Sequence, residues 1–334
     1  MSAHSGPGVP GTITTDRRRR SFALAGAIAL ALLAAACGDS NDTTDAASDT
    51  TAAGPSTTPS TISSEPFVIS AIPDQDPEQL QRIYGTVARY LTKATGVPVE
   101  FKPVTDYTAS VSLFKVGDLD MVWFGGLTGV QARLQTPGAQ AILQRDIDQD
   151  FHSVFIANTA TKLGPVTELA GLSALAGRRF SFGSESSTSG RLMPEYFLNQ
   201  AGVETGQFNG PPGFSGNHDK TIELVTAGTY EAGVLNEQVW QSRLAEGKVD
   251  QTKVKAIFTT PGYHDYHWLL RPDVAERYGP DFPAKLTRAF VQADPADPDV
   301  KTILELFKTK GFVPTDNNQY AEIEKIGRKL GLIT

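Results

Sequence analysis

Between Phe67 and Phe124 the apolar residues change period four times, and few folds accept that alternation. Phe67-Val68-Ile69-Ser70-Ala71-Ile72 is nearly unbroken apolar sequence, as in a strand buried on both faces. Leu80, Ile83, Tyr84, Val87, Tyr90 and Leu91 then recur at helical spacing until Gly96. Val97 to Val104 reads as a second strand, Tyr107 to Val116 as a helix stopped by Gly117, and Leu119 to Phe124 as a third strand. A strand–helix–strand–helix–strand order predicts parallel strands with helices packed on both faces of the sheet.

The alternation continues. Strands are expected at Ala139 to Leu143, His152 to Ala157, Arg178 to Gly183, Ala232 to Leu235 and Val254 to Thr259. Helices are expected near Val166 to Leu175, from about Thr188, over Asp219 to Thr226, and through most of the chain after Pro272. A Gly/Pro-rich loop fills residues 209–217. Residues 67–334 are long for one core, and the expectation is an α/β body of two lobes, each built on a mostly parallel sheet.

The N-terminus has a different character. Four arginines at 17–20 precede a Leu/Ala-rich run that ends Leu33-Ala34-Ala35-Ala36-Cys37. A basic region, a short apolar core and small residues form a secretory signal, too short for a comfortable membrane span. Cys37 is the only cysteine of the chain. The run resembles a bacterial lipobox, with Ala34 where a leucine is usual, and implies lipidation of Cys37. Arg19-Arg20-Ser21-Phe22 also resembles a twin-arginine export signal, so the general and twin-arginine routes both stay open. Residues 37–66 are almost wholly Thr, Ser, Ala, Asp, Gly and Pro, a composition that cannot bury enough apolar surface to offset ordering entropy. The expected organisation is a signal peptide at 1–36, a lipidated cysteine and tether at 37–66, and a body held on the extracytoplasmic face of the cell membrane.

Charge narrows the partners. The whole chain carries a formal −7, and the body after residue 66 has 26 basic against 31 acidic residues, or −5. A mildly acidic body without a basic cluster argues against nucleic acid. The sequence contains no GxxxxGK[ST], GxGxxG after a strand, HExxH or GxSxG. Neither a cofactor nor a metal is expected; the histidines of His264-Asp265-Tyr266-His267 are three apart, and in a strand they would point to opposite faces.

The segment Gly183-Ser184-Glu185-Ser186-Ser187-Thr188-Ser189-Gly190-Arg191 follows a strand and precedes helical spacing at Leu192, Tyr196 and Phe197. Hydroxyls at such a junction lie beside the unpaired first N–H groups of the helix, and together they suit an anion. At ~1.5–3 kcal/mol for each charge-assisted hydrogen bond, four or five could supply the roughly −8 kcal/mol of micromolar binding. Helix capping by Ser187 or Thr188 is the alternative role.

With these residues in view, the body resembles the phosphonate-binding family of ABC-transporter substrate-binding proteins, type II periplasmic-binding folds that include phosphate, phosphite and phosphonate receptors. The resemblance rests on Val104-Thr105-Asp106-Tyr107, Gly117 through Gly125, Phe151 through Ile156, Phe182 through Gly190, and Ser215-Gly216-Asn217-His218-Asp219. It implies a first lobe of residues 67–158 plus 261–334 and a second of 159–260. By the same resemblance Tyr107 supplies an aromatic hydroxyl from the first lobe, Ser187, Thr188 and Ser189 form the phosphoryl cradle, and His218 donates from the second lobe. Trp123, Phe124 and Gly125 would line the first-lobe side of the cleft. His152 stands where relatives often carry tyrosine, and Glu237 and Asp265 fall near carboxylates that hold a ligand amine in some relatives. Ser70-Ala71-Ile72-Pro73-Asp74 and Phe124-Gly125-Gly126-Leu127-Thr128 are most similar to a subgroup named for selenate transport.

The implied function is capture of a small tetrahedral oxyanion (phosphonate, phosphite, phosphate or selenate) by a monomeric lipoprotein that is not an enzyme, with delivery to an ABC permease and its ATPase subunit. A carboxylate in the shell would favour ligands that carry a proton, because selenate at neutral pH only accepts hydrogen bonds. Two alternatives stay open: a receptor for an organic sulfonate or thiamine-precursor-like ligand, and a secreted ester hydrolase using Ser187, His218 and Asp265.

Overall fold

A computed structural model describes residues 63–334. The signal peptide, Cys37 and most of the tether lie outside the described residues. Their last part does not: the Ser63 N–H donates to the Arg277 carbonyl at 2.8 Å, and the Tyr278 hydroxyl donates to the Pro66 carbonyl at 2.9 Å. The body therefore begins a few residues before the expected start at 67, on backbone contacts that an apolar pattern does not register.

The first five elements follow the reading closely. They are β1 (Phe67–Ala71), α1 (Pro77–Thr95), β2 (Val99–Phe101), α2 (Tyr107–Val116) and β3 (Met121–Phe124). Asp76 caps α1 by accepting from the Glu78 and Gln79 N–H groups, and the helix buries Leu80, Ile83, Tyr84, Val87, Tyr90 and Leu91. Gly96 and Gly117 end α1 and α2 in the left-handed region, at φ 77° and 95°, where a Cβ is strained. Then come α3 (Gly126–Gln135), β4 (Gln140–Arg145), β5 (Ser153–Asn158), β6 (Phe180–Phe182), α4 (Met193–Gln200), β7 (Gly213–Phe214), α5 (His218–Thr226), β8 (Ala232–Asn236), α6 (Glu237–Ala245) and β9 (Val254–Thr259). The chain finishes with β10 (His267–Leu270), α7 (Val274–Tyr278), α8 (Phe282–Val291), α9 (Pro298–Phe307), β11 (Phe312–Pro314) and α10 (Ala321–Lys329).

These strands form two sheets, ordered β11-β4-β10-β3-β1-β2 and β7-β6-β8-β5-β9. Most strands of each sheet run one way; β10 and β11 are reversed in the first, and β5 in the second. The chain crosses between sheets twice, through residues 146–152 and 260–266, where Phe151 and Tyr263 exchange backbone hydrogen bonds of 2.8 and 3.0 Å. The expected lobe break after residue 158 is thus corrected: β5 belongs to the second sheet, paired with β8 and β9. Apolar period cannot mark this crossing, because Val154-Phe155-Ile156 is equally apolar in either sheet. Leu169–Leu175 is a 3-10 segment rather than an α-helix.

The crossing is built around Arg145. Its guanidinium is buried with Asp148 at 2.6 Å, lies over the rings of Trp123, Phe151 and Tyr266, donates to the Phe307 carbonyl at 3.0 Å, and reaches Gln238 of α6. A buried pair of this kind adds little net stability, but removing one partner strands the other charge. Arg145→Met should therefore lower unfolding stability by about 3–5 kcal/mol. The double variant Arg145→Met/Asp148→Leu should recover most of that loss, both read from denaturant midpoints. Equal losses in the single and double variants would contradict this role.

Candidate functional site

The seam between the sheets meets the N-terminus of α3. The chain leaves β3 through Gly125, and the first N–H groups of α3 have no partner within the helix. Asp265 and Thr188 supply them: the Gly126 N–H donates to Asp265 Oδ1 and the Leu127 N–H to Thr188 Oγ1, both at 2.9 Å. Thr188 follows β6, so the second of these bonds joins the two lobes. A Cβ placed on Gly125 would lie 3.0 Å from Thr188 Oγ1 and 3.2 Å from Asp265 Oδ1, which explains glycine at this turn.

The Ser/Thr segment enters its helix through a π-helical turn, Thr188–Leu192, before α4. Ser187 is the cap and accepts the Gly190 N–H at 2.9 Å. Capping, the alternative role weighed for these residues, is thus one of the jobs done here, and Ser187 does it. The Ser189 carbonyl accepts from the Ser153 hydroxyl of β5 at 2.8 Å, which fixes the turn against the second sheet. Its own hydroxyl makes no hydrogen bond. Ser187, Thr188 and Ser189 are all buried.

At this seam two further polar atoms are buried without partners, the Tyr107 hydroxyl and Asp265 Oδ2; other such atoms of the described residues lie elsewhere in the body. Tyr107 opens α2, where Asp106 caps the helix by accepting the Ala109 N–H at 2.8 Å. Ser187 lies near its hydroxyl without reaching hydrogen-bond geometry. Burial, and the nearby Asp74 carboxyl, push the Tyr107 phenol well above its usual range. Burial also raises Asp265 to about 7, against the lowering effect of the Gly126 N–H and the Thr188 hydroxyl. Tyr107, Val104 and Asp106 of the first lobe, with Ser184, Gly216 and Asn217 of the second, line a cavity of about 450 Å³.

A second buried network adjoins the first. The Tyr266 hydroxyl donates to Asp74 Oδ2 at 2.7 Å and accepts from Asn236 Nδ2 at 3.1 Å. The His218 N–H donates to the Asp74 carbonyl at 2.9 Å. His218 is fully buried; its Nδ1 accepts from the Asn236 N–H at 3.4 Å and its Nε2 faces the Tyr266 hydroxyl at 3.5 Å. Burial lowers His218 to about 4, so the imidazole is neutral at physiological pH, and burial raises Asp74 to about 6.

Of the residues singled out from sequence, Tyr107, Gly125, Ser187, Thr188, Ser189 and Asp265 come together at the seam, with His218 one network away. Trp123 and Phe124 sit differently. Trp123 stacks on Tyr266 with ring centres 5.8 Å apart, and Phe124 packs edge-on against Phe114 in the first-lobe core. Trp123 also lines a small cavity with Asp74, Arg145, Asn236 and Tyr266, while the backbone of Gly125 to Leu127 meets Thr188 of the second lobe. His152 is partly exposed and donates from Nδ1 to the Thr260 carbonyl at 2.7 Å. Among the described residues no hydrogen bond ties the side chain of His152 or Glu237 to the Thr188–Asp265 cluster. Sequence reasoning did not single out Asp74, Tyr266, Asn236 or the α3 N–H groups; only adjacency to quoted motifs could have signalled them.

Comparison with known proteins agrees with this architecture. A family model described as ABC transporter, phosphonate, periplasmic substrate-binding protein matches residues 69–320. The "Probable ABC transporter phosphite binding protein PhnD1" of Prochlorococcus marinus is 47% identical over 264 residues, covering 79% of this chain and 89% of that protein. The structure of Prochlorococcus marinus PhnD1 in complex with methylphosphonate superposes with a TM-score of 0.79 at 45% identity, covering 81% of this chain and all of that one. The "Phosphate-import protein PhnD" of Mycolicibacterium smegmatis is 27% identical over 258 residues, 74% of this chain and 75% of that protein. Two lobes joined by two crossings, an anion-suited seam and these matches place the chain in the family of periplasmic substrate-binding proteins of phosphonate ABC transporters.

Proposed function

We propose that the protein captures a proton-bearing phosphorus oxyanion, phosphite or a small phosphonate such as methylphosphonate, between its lobes and presents it to an ABC permease without turning it over. Membership of the family makes it the extracytoplasmic substrate-binding component of an importer. The observation that carries the ligand class is that three of the unpaired buried atoms meet at the seam between the lobes: the Tyr107 hydroxyl, the Ser189 hydroxyl and Asp265 Oδ2. Each costs about 1–3 kcal/mol while unpaired, which a ligand offering both acceptors and a donor relieves. Phosphite and methylphosphonate monoanions have P–O acceptors for the hydroxyls and one P–OH donor for the carboxylate. Selenate and sulfate have no proton to give and would meet Asp265 as charge against charge unless the carboxyl is itself protonated. The names of the PhnD1 relative and of its complex point the same way.

Within this reading Thr188 and Ser189 hold the phosphoryl oxygens, Tyr107 closes from the first lobe, and His218 acts through Tyr266 and Asp74. His152 at the crossing and Glu237 at the start of α6, whose N–H donates to the His152 carbonyl at 3.2 Å, are outer contacts, and Trp123 holds the Tyr266 ring. Thr188→Ala/Ser189→Ala should weaken phosphite binding at least about tenfold in calorimetric titration while unfolding stays cooperative. Unchanged affinity would reduce the hydroxyls to their structural bonds.

Asp265 sets both pH dependence and selectivity. Burial raises its pKa to about 7, so the neutral acid is the favoured buried form. Stability from this group is whole below the ordinary carboxylate range and is lost as pH climbs to about 7, an effect on the order of 4 kcal/mol at most. Asp265→Asn should flatten the loss of thermal stability between about pH 4 and pH 7, leaving the smaller part due to Asp74. The amide also donates where the carboxylate accepts, so the preference for methylphosphonate over selenate at pH 7 should shrink by about tenfold or more. A variant with the parent's pH profile and the parent's preference would contradict the role given to Asp265.

The membrane anchor is the lipidated Cys37. Its support is the apolar run and small residues before it in the sequence. Cys37→Ala should move the full-length protein from the membrane fraction to the soluble one; retention in the membrane would require another anchor.

A further inference from the structure

Beyond the Thr188–Asp265 seam a second set of bonds joins the lobes through Asp76, Asp219 and Arg243, none of which is placed at the ligand. Asp219, in the first turn of α5, accepts Arg243 Nε at 2.6 Å on Oδ1 and Arg243 Nη2 at 2.9 Å on Oδ2. This is the two-pronged geometry in which an arginine holds a carboxylate most firmly. The Arg243 side chain is 6% exposed, and Glu246 closes its other side at 3.3 Å. Burial alone would raise Asp219, but Arg243 holds its carboxyl below the usual range. Both partners belong to the second lobe. So fixed, Asp219 Oδ2 accepts a third bond, at 3.0 Å, from the backbone N–H of Asp76 in the first lobe. One residue back, the His218 N–H donates to the Asp74 carbonyl at 2.9 Å.

We propose that the Arg243–Asp219–Asp76 chain is a closure latch, with Asp219 a positioning residue that sets ligand affinity by holding the N-terminus of α5 against the loop before α1. The proposal rests on the capture reading given above. Apparent affinity equals the intrinsic affinity of the closed arrangement multiplied by its population, so a contact made only on closure strengthens binding without touching the ligand. Its loss acts mainly on dissociation. A carboxylate already held by arginine is ordered before the lobes meet, so little entropy is lost when the Asp76 N–H arrives.

The Asp76 N–H can be removed without moving the chain. Asp76 has φ −54°, inside the range proline imposes, so Asp76→Pro deletes the donor at compatible backbone. Asp76→Ala is the matched control, since it loses the same α1 cap while keeping the N–H. In the mature chain, stopped-flow release of phosphite should be about tenfold faster or more in Asp76→Pro than in Asp76→Ala. Small-angle scattering of the two chains without phosphite should give a larger radius of gyration for Asp76→Pro. Asp219→Ala should behave like Asp76→Pro; if it loses cooperative unfolding, the Asp76 pair decides. Equal release rates and equal radii in that pair overturn the latch. Failure of the parent to bind phosphite at all would instead overturn the capture reading, and the radii alone would then decide the latch.

Discussion

A single bond between the lobes, from the Leu127 N–H to Thr188 Oγ1, shows the constraint on which the rest depends. A small anion withdrawn from water loses its hydration, and only donors already aimed at one point can replace it. The fold brings two helix beginnings face to face, their first N–H groups held by Asp265, Thr188 and Ser187, and leaves the Tyr107 and Ser189 hydroxyls unpaired beside them. One is α3, whose glycine entry lets the second lobe come close; the other is the π-helical turn at Thr188–Leu192, pinned by Ser153 and capped by Ser187. The crossing segments around Phe151 and Tyr263 place Asp265 against both.

The electrostatics follow from the same burial. Among the residues in the two seam networks there is no lysine or arginine to neutralise a ligand directly. Arg145 is committed to Asp148 and to the rings around it, and Arg191 is held 2.5 Å from Glu195 over the rings of Phe182 and Phe214. His218 is kept neutral, and Asp74 and Asp265 are both pushed toward their neutral forms. A site of neutral hydroxyls and a carboxyl near its midpoint is sensitive to where the protons of the ligand sit. Charge alone would accept every oxyanion; under the capture proposed above, this arrangement sorts them by their ability to donate.

Much of the molecule was legible in the chain. α1 and α2 could be read because their stops are single glycines, Gly96 and Gly117, and because α1 carries one apolar stripe; their caps, Asp76 and Asp106, were not read. The hydroxyl run at Ser187–Ser189 was legible for the same kind of reason, since local chemistry announces a helix beginning. By contrast α3 was missed, as it starts on Gly126 with no side-chain cap and is buried on several sides. The crossing before β5 was misplaced because an apolar strand carries no mark of the sheet it joins. Phe124 was expected at the cleft and packs on Phe114 instead, because alternation along a strand buried on both faces does not say which side faces the seam. Asp74, Tyr266 and Asn236 are brought together from three distant stretches, a fact that belongs to tertiary structure alone.

The most direct measurement is a calorimetric titration of residues 63–334 with phosphite, methylphosphonate, phosphate, sulfate and selenate at one salt concentration and pH 7. The account requires a saturable response, micromolar or tighter, to phosphite or methylphosphonate, with sulfate and selenate bound at least about tenfold more weakly. Equal or tighter binding of selenate, or silence toward every phosphorus oxyanion from folded protein, would contradict it.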